Sequence, residues 1–213
     1  MIRSGRVTDA EGNVIGEGAP VTHEEIRFRG EPIDPPAPLT ILLNKPDGFT
    51  CSSEDPGETI YDLLPERFAY RKPGLNSIGR LDKDTTGLLL MTDDGKLLHR
   101  IIHPKHGCLK AYHAILDRPL EGHEAERFGS GALQLQGDNK PLLPAPMEML
   151  GEKEALVTLH EGRYHQVRRM FAAVGNHVVA LKRLSIGGFQ LPADLEEGDW
   201  RVLTPEELVQ VLG

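Results

Sequence analysis

Cysteine is scarce in this sequence: Cys51 and Cys108 are the two among 213 residues. They allow at most one bridge and their spacing fits no zinc pattern, which excludes a disulfide scaffold and a structural zinc module. Long apolar runs are missing too. Nothing approaches the roughly 20 residues of a membrane span, and the N-terminus does not read as a signal peptide. Aromatic residues make up only 5%. Positive charge is in deficit, with 24 Lys and Arg against 32 Asp and Glu and a net charge of -8. Taken as an average, that balance argues against nucleic acid, whose binders are usually basic. Reduced thiols and the lack of a span point to a cytoplasmic protein, and a monomer is the plain expectation.

The average conceals two basic islands. Residues 71–110 carry eight basic against four acidic groups, and residues 151–190 carry six against three. Every other segment is acidic. If folding joins the islands they make one positive cleft able to hold phosphates; otherwise they are scattered solvated faces.

The clearest boundary is Ile33-Asp34-Pro35-Pro36-Ala37-Pro38, a stiff extended linker. Residues 1–34 before it are polar and turn-rich. From residue 39 on, helix and strand patterns mix without regular βαβ alternation. Strands are predicted at 39–43, 88–91, 109–116, 132–136, 154–160, 177–184 and 200–203. A brief helix is predicted around Ile60, Leu63 and Leu64, and another after Asp93-Asp94-Gly95. The strongest helix spans 165–174, with Val167, Met170, Phe171 and Val174 on one face and Gly175-Asn176 as its stop. Thr204-Pro205-Glu206-Glu207 is a capping box with proline at the first helical position, opening a last helix. The fold class is α+β with much antiparallel sheet.

Three segments could carry chemistry. Gly79-Arg80-Leu81-Asp82-Lys83-Asp84-Thr85-Thr86-Gly87 packs carboxylates and hydroxyls immediately before an apolar strand. Its aspartates either cap local amides or present a rigidly held acid at the edge of the core. Glu161-Gly162-Arg163-Tyr164-His165-Gln166-Val167-Arg168-Arg169 opens the strongest helix. Its arginines form an exposed basic face, or one of them pairs with a carboxylate and holds it ionised. In Lys110-Ala111-Tyr112 the tyrosine is either core or a platform for an extruded base. His99, His103 and His106 lie close together, but no acidic ligand completes a metal site, and no cofactor motif is present. Asp82-Lys83-Asp84-Thr85-Thr86 also fits the D-x-D-x-T pattern of magnesium-dependent phosphatases of the haloacid-dehalogenase type. In that family a hydrophobic strand precedes the motif, whereas here the apolar run follows it.

Taken together and in order, these blocks, with Asn44-Lys45-Pro46-Asp47-Gly48, resemble the pseudouridine synthases of the RsuA type over residues 39–213. Met91-Thr92-Asp93-Asp94-Gly95 and the segment 171–179 look closest to the member acting on small-subunit ribosomal RNA. The resemblance implies a catalytic domain around a mixed, largely antiparallel sheet with the cleft across its middle. It further implies Asp82 as the catalytic aspartate, Arg168 as its ion-pair partner, and Tyr112 as the residue stacking on the base. Val167 would line the pocket, and Arg80, Asn44, Lys45, Lys110, Arg163, Gln166 and Arg169 would contact substrate. No cofactor or metal is implied. The expected partner is ribosomal RNA, naked or within an assembling particle. Ile2-Arg3-Ser4-Gly5-Arg6-Val7 resembles the middle of an S4-type RNA-binding domain, so residues 1–34 are expected to form a truncated S4-like segment. A non-catalytic RNA-binding protein is the remaining alternative.

Overall fold

The computed structural model describes residues 6–52, 56–103 and 107–213. Arg3, His106 and the other residues outside those ranges that carried expectations lie beyond the described part. Two units separate, residues 1–39 and 40–213. In the first, β1 (Val7–Thr8), β2 (Arg27–Phe28) and β3 (Glu31–Pro32) form a small antiparallel sheet in the order β1-β2-β3. Ile15 is buried there, while the strand residues are half-buried or exposed.

The second unit is built on one nine-stranded sheet. Its strands are β4 (Thr40–Lys45), β5 (Asn76–Ser77), β6 (Thr85–Thr92), β7 (Lys110–Leu116), β8 (Met147–Gly151), β9 (Glu154–Leu159), β10 (Val178–Ile186), β11 (Phe189–Gln190) and β12 (Trp200–Val202). The main order is β12-β4-β6-β10-β7-β9-β8, with β5 on β6 and β11 on β10. All pairings are antiparallel except that of β6 with β10. The fold is α+β, as the mixed sequence pattern predicts. β4 and β6 are buried along nearly their whole length, which explains why they read as continuous apolar runs rather than alternating ones.

Leu42, Leu88, Leu90, Ile78, Ile101, Ile186, Phe189, Leu203 and Val211 form one core cluster. It is covered by Leu97 and Leu98 of α1 (Gly95–Ile102) and by Leu208 and Leu212 of the last helix, α4 (Pro205–Leu212). Each buried leucine truncated to alanine there costs about 2–5 kcal/mol. Asp94 caps α1 by accepting from the Lys96 and Leu97 amides, and Thr204 caps α4 by accepting from the Glu207 amide at 3.2 Å. Each cap stabilises its helix by about 1 kcal/mol. Elsewhere Phe128 of α2 (Glu124–Gly129) meets Phe171 of α3 (Gln166–Ala173) edge to face, with ring centroids 5.1 Å apart.

Two predicted elements differ. Residues 60–64 form turns rather than a helix, held by Asp62 accepting from the Thr59 amide at 2.7 Å, and a 3-10 helix follows at Glu66–Tyr70. Residues 132–136 form no strand. Leu133 and Leu135 are buried with the predicted period of two, but among the described residues no ladder partner is present beyond an isolated bond from Leu142 N to Leu133 O. No described helix is long and apolar enough to cross a membrane.

Candidate active site

The middle of the large sheet supplies one wall of a cleft. Lys110 and Tyr112 lie two apart on β7, and Leu181 and Arg183 lie two apart on β10. Arg183 is in register with Tyr112, and Leu181 with Thr85 of β6. Residues paired in this way share a face of the sheet. All five line the cleft, together with Leu159 of β9, which is paired with Lys110. The loop before β6 adds Gly79, Arg80, Leu81 and Asp82. The start of α3 adds Gly162, Arg163, His165, Gln166 and Val167. The cleft has a volume of about 200 Å3, several times the roughly 30 Å3 of a single water.

Folding therefore joins the two basic islands. Arg80 and Lys110 come from the first, Arg163 and Arg183 from the second, and Asp82 stands among them. The Asp82 side chain is 29% exposed, open enough to meet a ligand. Its loop is fixed from below by Lys45. That ammonium is fully buried and donates to the carbonyls of Pro46, Lys83 and Thr85 at 2.9–3.1 Å. Burial pushes the Lys45 amine below its ordinary value, partly opposed by Cys51 and by the charges of Asp47, Asp84 and Asp82. The Leu81 amide donates to Cys51 Sγ at 3.4 Å, and the buried Cys51 thiol is pushed up.

The partner of Asp82 is His165, whose Nε2 lies 3.3 Å from Asp82 Oδ1. His165 precedes α3 with φ 46° and ψ 37°, in the left-handed region. That conformation costs a non-glycine residue about 1–2 kcal/mol, although histidine is among the residues enriched there. Its ring stacks on Tyr164, centroids 3.8 Å apart and planes 17° apart. Arg168 corrects an expectation: it pairs with Asp84 and not with Asp82. Arg168 Nη2 lies 3.0 Å from Asp84 Oδ2 and donates to the Asp84 carbonyl at 3.1 Å, while Nη1 donates to the Val178 carbonyl. One helical turn sets this division: His165 at the helix start reaches the cleft, and Arg168 reaches along the loop beside it.

A family model described as RNA pseudouridylate synthase matches residues 39–173. The chain belongs to the RNA pseudouridylate synthase family. The ribosomal small subunit pseudouridine synthase A of Escherichia coli (strain K12) is 43% identical over 215 residues, covering 99% of this chain and 91% of that protein. Its namesake from Yersinia pestis is 43% identical over 214 residues, covering 99% and 89%. A crystal structure of a pseudouridylate synthase matches with a TM-score of 0.77 and 41% identity, covering 99% of this chain and 90% of that one.

Within this pseudouridylate synthase fold the remaining expected residues divide. Tyr112 and Val167 are buried in the cleft wall, and Lys110 Nζ donates to the Cys108 carbonyl at 3.0 Å. Burial pushes the Lys110 amine down, and the Arg183 charge adds to that push. Gln166 is buried and accepts from the Arg163 amide, shaping the loop that enters α3. Asn44 and Lys45 do not line the cleft. Asn44 Nδ2 donates to the Leu195 carbonyl at 2.8 Å, and its backbone pairs with Gly198 and Asp199, so it anchors the turn before β12. Arg163 and Arg169 converge on Asp138: Arg169 Nη2 meets Oδ1 at 2.6 Å and Arg163 Nη1 meets Oδ2 at 2.9 Å. Arg163 also binds Glu161 and the carbonyls of Lys140 and Pro141. Both guanidinium groups thus staple loops together, and Arg169 lies outside the cleft lining.

Sequence reasoning missed Arg183. Its signal was available: the two-residue period of β10 puts it on the same inward face as Leu181. Among the described residues no group of three His, Cys, Asp or Glu side chains could hold a metal. Asp82 and Asp84 precede the buried strand β6 in the structure, the reverse of the order the phosphatase pattern needs.

Proposed function

We propose that the protein isomerises a uridine of small-subunit ribosomal RNA to pseudouridine, with Asp82 as the reacting carboxylate. The observation carrying this reading is an accessible carboxylate in a cleft whose other charged side chains are cationic, with Tyr112 in the wall. The phosphate backbone is drawn to Arg80 and its neighbours, and the target nucleotide turns out of its stack into the cleft. Asp82 acts on the ribose or on the uracil ring. The bond from N1 to the sugar breaks, the base turns, and C5 joins the sugar instead. Tyr112 and Val167 restrain the base while it turns. Arg168 acts at one remove, bracing the loop that carries Asp82. The small-subunit target rests on the names of the relatives, and residues 1–34 serve as an S4-like recruiting segment in this reading. The protein works as a monomer without a cofactor.

The test is release of tritium from small-subunit ribosomal RNA labelled at uridine C5, since forming the new C–C bond expels that hydrogen. Release should persist in EDTA and vanish in Asp82→Asn, which still folds and binds RNA. Turnover by Asp82→Asn at the wild-type rate would end the assignment. So would release from neither naked RNA nor partly assembled subunits. Phosphate release that requires magnesium would favour the phosphatase chemistry instead.

A further inference from the structure

Arg183 is a buried cation with no carboxylate. It is 1% exposed, and none of the ion pairs among the described residues includes it. Nε donates to the Leu88 carbonyl at 2.7 Å. Nη1 approaches the Tyr112 hydroxyl oxygen only to 3.5 Å, and buried Nη2 has no hydrogen-bond partner. The guanidinium carbon stands 6.0 Å from the centre of the Tyr112 ring. Lys110, also buried on this face, reaches only the Cys108 carbonyl among the described residues. A buried guanidinium is ordinarily matched by an acid, because leaving it uncompensated is expensive. Two uncompensated cations on one face of a cleft call for an anion that arrives with the substrate.

The substrate supplies such an anion only during reaction. This inference rests on the synthase reading above. When the bond from N1 to the ribose breaks heterolytically, the electron pair stays with uracil and spreads over its carbonyl oxygens. If a carboxylate instead adds to the ring at C6, the pair likewise moves onto the ring and its carbonyl. On the first route the ring carries negative charge until C5 bonds to the sugar, and on the second until the carboxylate is expelled again; the C5 proton then leaves and N1 gains one. The atoms of uridine are conserved and no oxidant or reductant is needed.

We infer that Arg183, seconded by Lys110, is the counter-charge that stabilises the uracil ring while it is anionic. Nη2 is the donor that turns to a carbonyl oxygen of the base. A fixed cation in a water-poor site favours the state in which charge develops over the neutral base that first enters. The effect therefore falls on the chemical step and not on RNA affinity.

The experiment compares wild type, Arg183→Met and Arg183→Lys on two otherwise identical RNAs, one with uridine and one with 5-fluorouridine at the target. Loss of the target nucleoside is followed under single-turnover conditions, after nuclease digestion and chromatography. 5-Fluorouracil is the more acidic base and needs less help to carry charge. Arg183→Met should slow uridine conversion by about 100-fold or more, and the loss should shrink by about tenfold on 5-fluorouridine. Arg183→Lys should fall between, and RNA affinity should stay within about threefold of wild type. Equal losses on the two RNAs, or no loss, would overturn the inference by reducing Arg183 to a structural tie between β6 and β7. Should the methionine variant fail to fold, the ratio of losses for Arg183→Lys decides in the same way. Failure of wild type itself to convert uridine would sink the synthase reading rather than this one.

Discussion

His165 Nε2 lies 3.3 Å from Asp82 Oδ1, and it does so from a left-handed backbone that glycine would adopt more readily. Both side chains are about a third exposed, so the contact itself contributes little to stability, about 0–1 kcal/mol. In the synthase reading its use is to aim the carboxylate. His165→Gly relieves the backbone and removes the ring, while His165→Ala keeps the strain and removes the ring. We expect the glycine variant to match wild-type stability within about 1 kcal/mol, and the alanine variant to be the less stable of the two. Both should lose about 10-fold or more in kcat, with KM little changed. Thermal melts beside steady-state kinetics check this; full activity in His165→Gly would show that Asp82 needs no aiming.

Arg168 ties the Asp82 loop to the start of β10 through two carbonyls and one carboxylate. The carboxylate is the weakest of these, since the Asp84 side chain is 64% exposed. Arg168→Met should therefore cost about 1–3 kcal/mol in urea unfolding and lower kcat, whereas Asp84→Asn should shift stability by less than about 1 kcal/mol. Equal losses in the two variants would mean that the ion pair, and not the backbone clasp, holds the loop.

The sheet and the Asp82 loop were legible because each follows from a local pattern. The apolar run before Asp93 reads as a strand buried on both faces, and Val167, Met170 and Phe171 fix the buried face of α3. Lys110, Tyr112 and Asp82 line one cleft because strand register aligns β7, β10 and the start of β6, which the Asp82 loop precedes, and the ordered family blocks imply that cleft. The partners of long cations were not legible. Arg163 and Arg169 find Asp138, 25 and 31 residues away, just beyond a segment that reads as a strand from the alternation of Leu133 and Leu135. Lys45 reads as a substrate contact, but a strand buried at every position leaves its ammonium only carbonyls to meet. β8 is an edge strand with four exposed residues in five, so it shows no apolar alternation to find.

The Asp138 clasp makes an acid-sensitive tie. The hydrogen bond from Arg169, and then that from Arg163, hold the Asp138 carboxyl below the usual carboxylate range. A folded-state value below the unfolded one, which is about 3.9, gives stability that is fully present above the unfolded value. That stability is lost as pH falls through the folded value. Asp138→Asn removes the charge at every pH. The variant should be less stable than wild type at pH 7, and the difference should narrow as pH drops below about 4. Urea midpoints from pH 7 to pH 3.5 measure it; a difference independent of pH would show that the arginines are held by their carbonyl partners alone.

Gly87 marks a close approach of the parallel pair β6 and β10. It has φ +98°, a conformation that side chains rarely adopt, and it is in register with Arg183. An added Cβ would run into the Arg183 backbone and the Lys182 side chain. Neither backbone can yield, because β6 is held by β4 on its other side and β10 by β7. Gly87→Ala should therefore cost about 3 kcal/mol or more, and it should disturb Arg183 and the cleft wall in the same stroke. Gly95→Ala is the matched control. Gly95 opens α1 with ordinary φ and nothing within 4 Å, so alanine there should be neutral or stabilising by up to about 1 kcal/mol. Soluble yield and thermal midpoint compare the two directly. If Gly87→Ala melts with wild type, β6 and β10 have room to part, and the close approach of Gly87 to the Arg183 backbone is not a constraint on the fold.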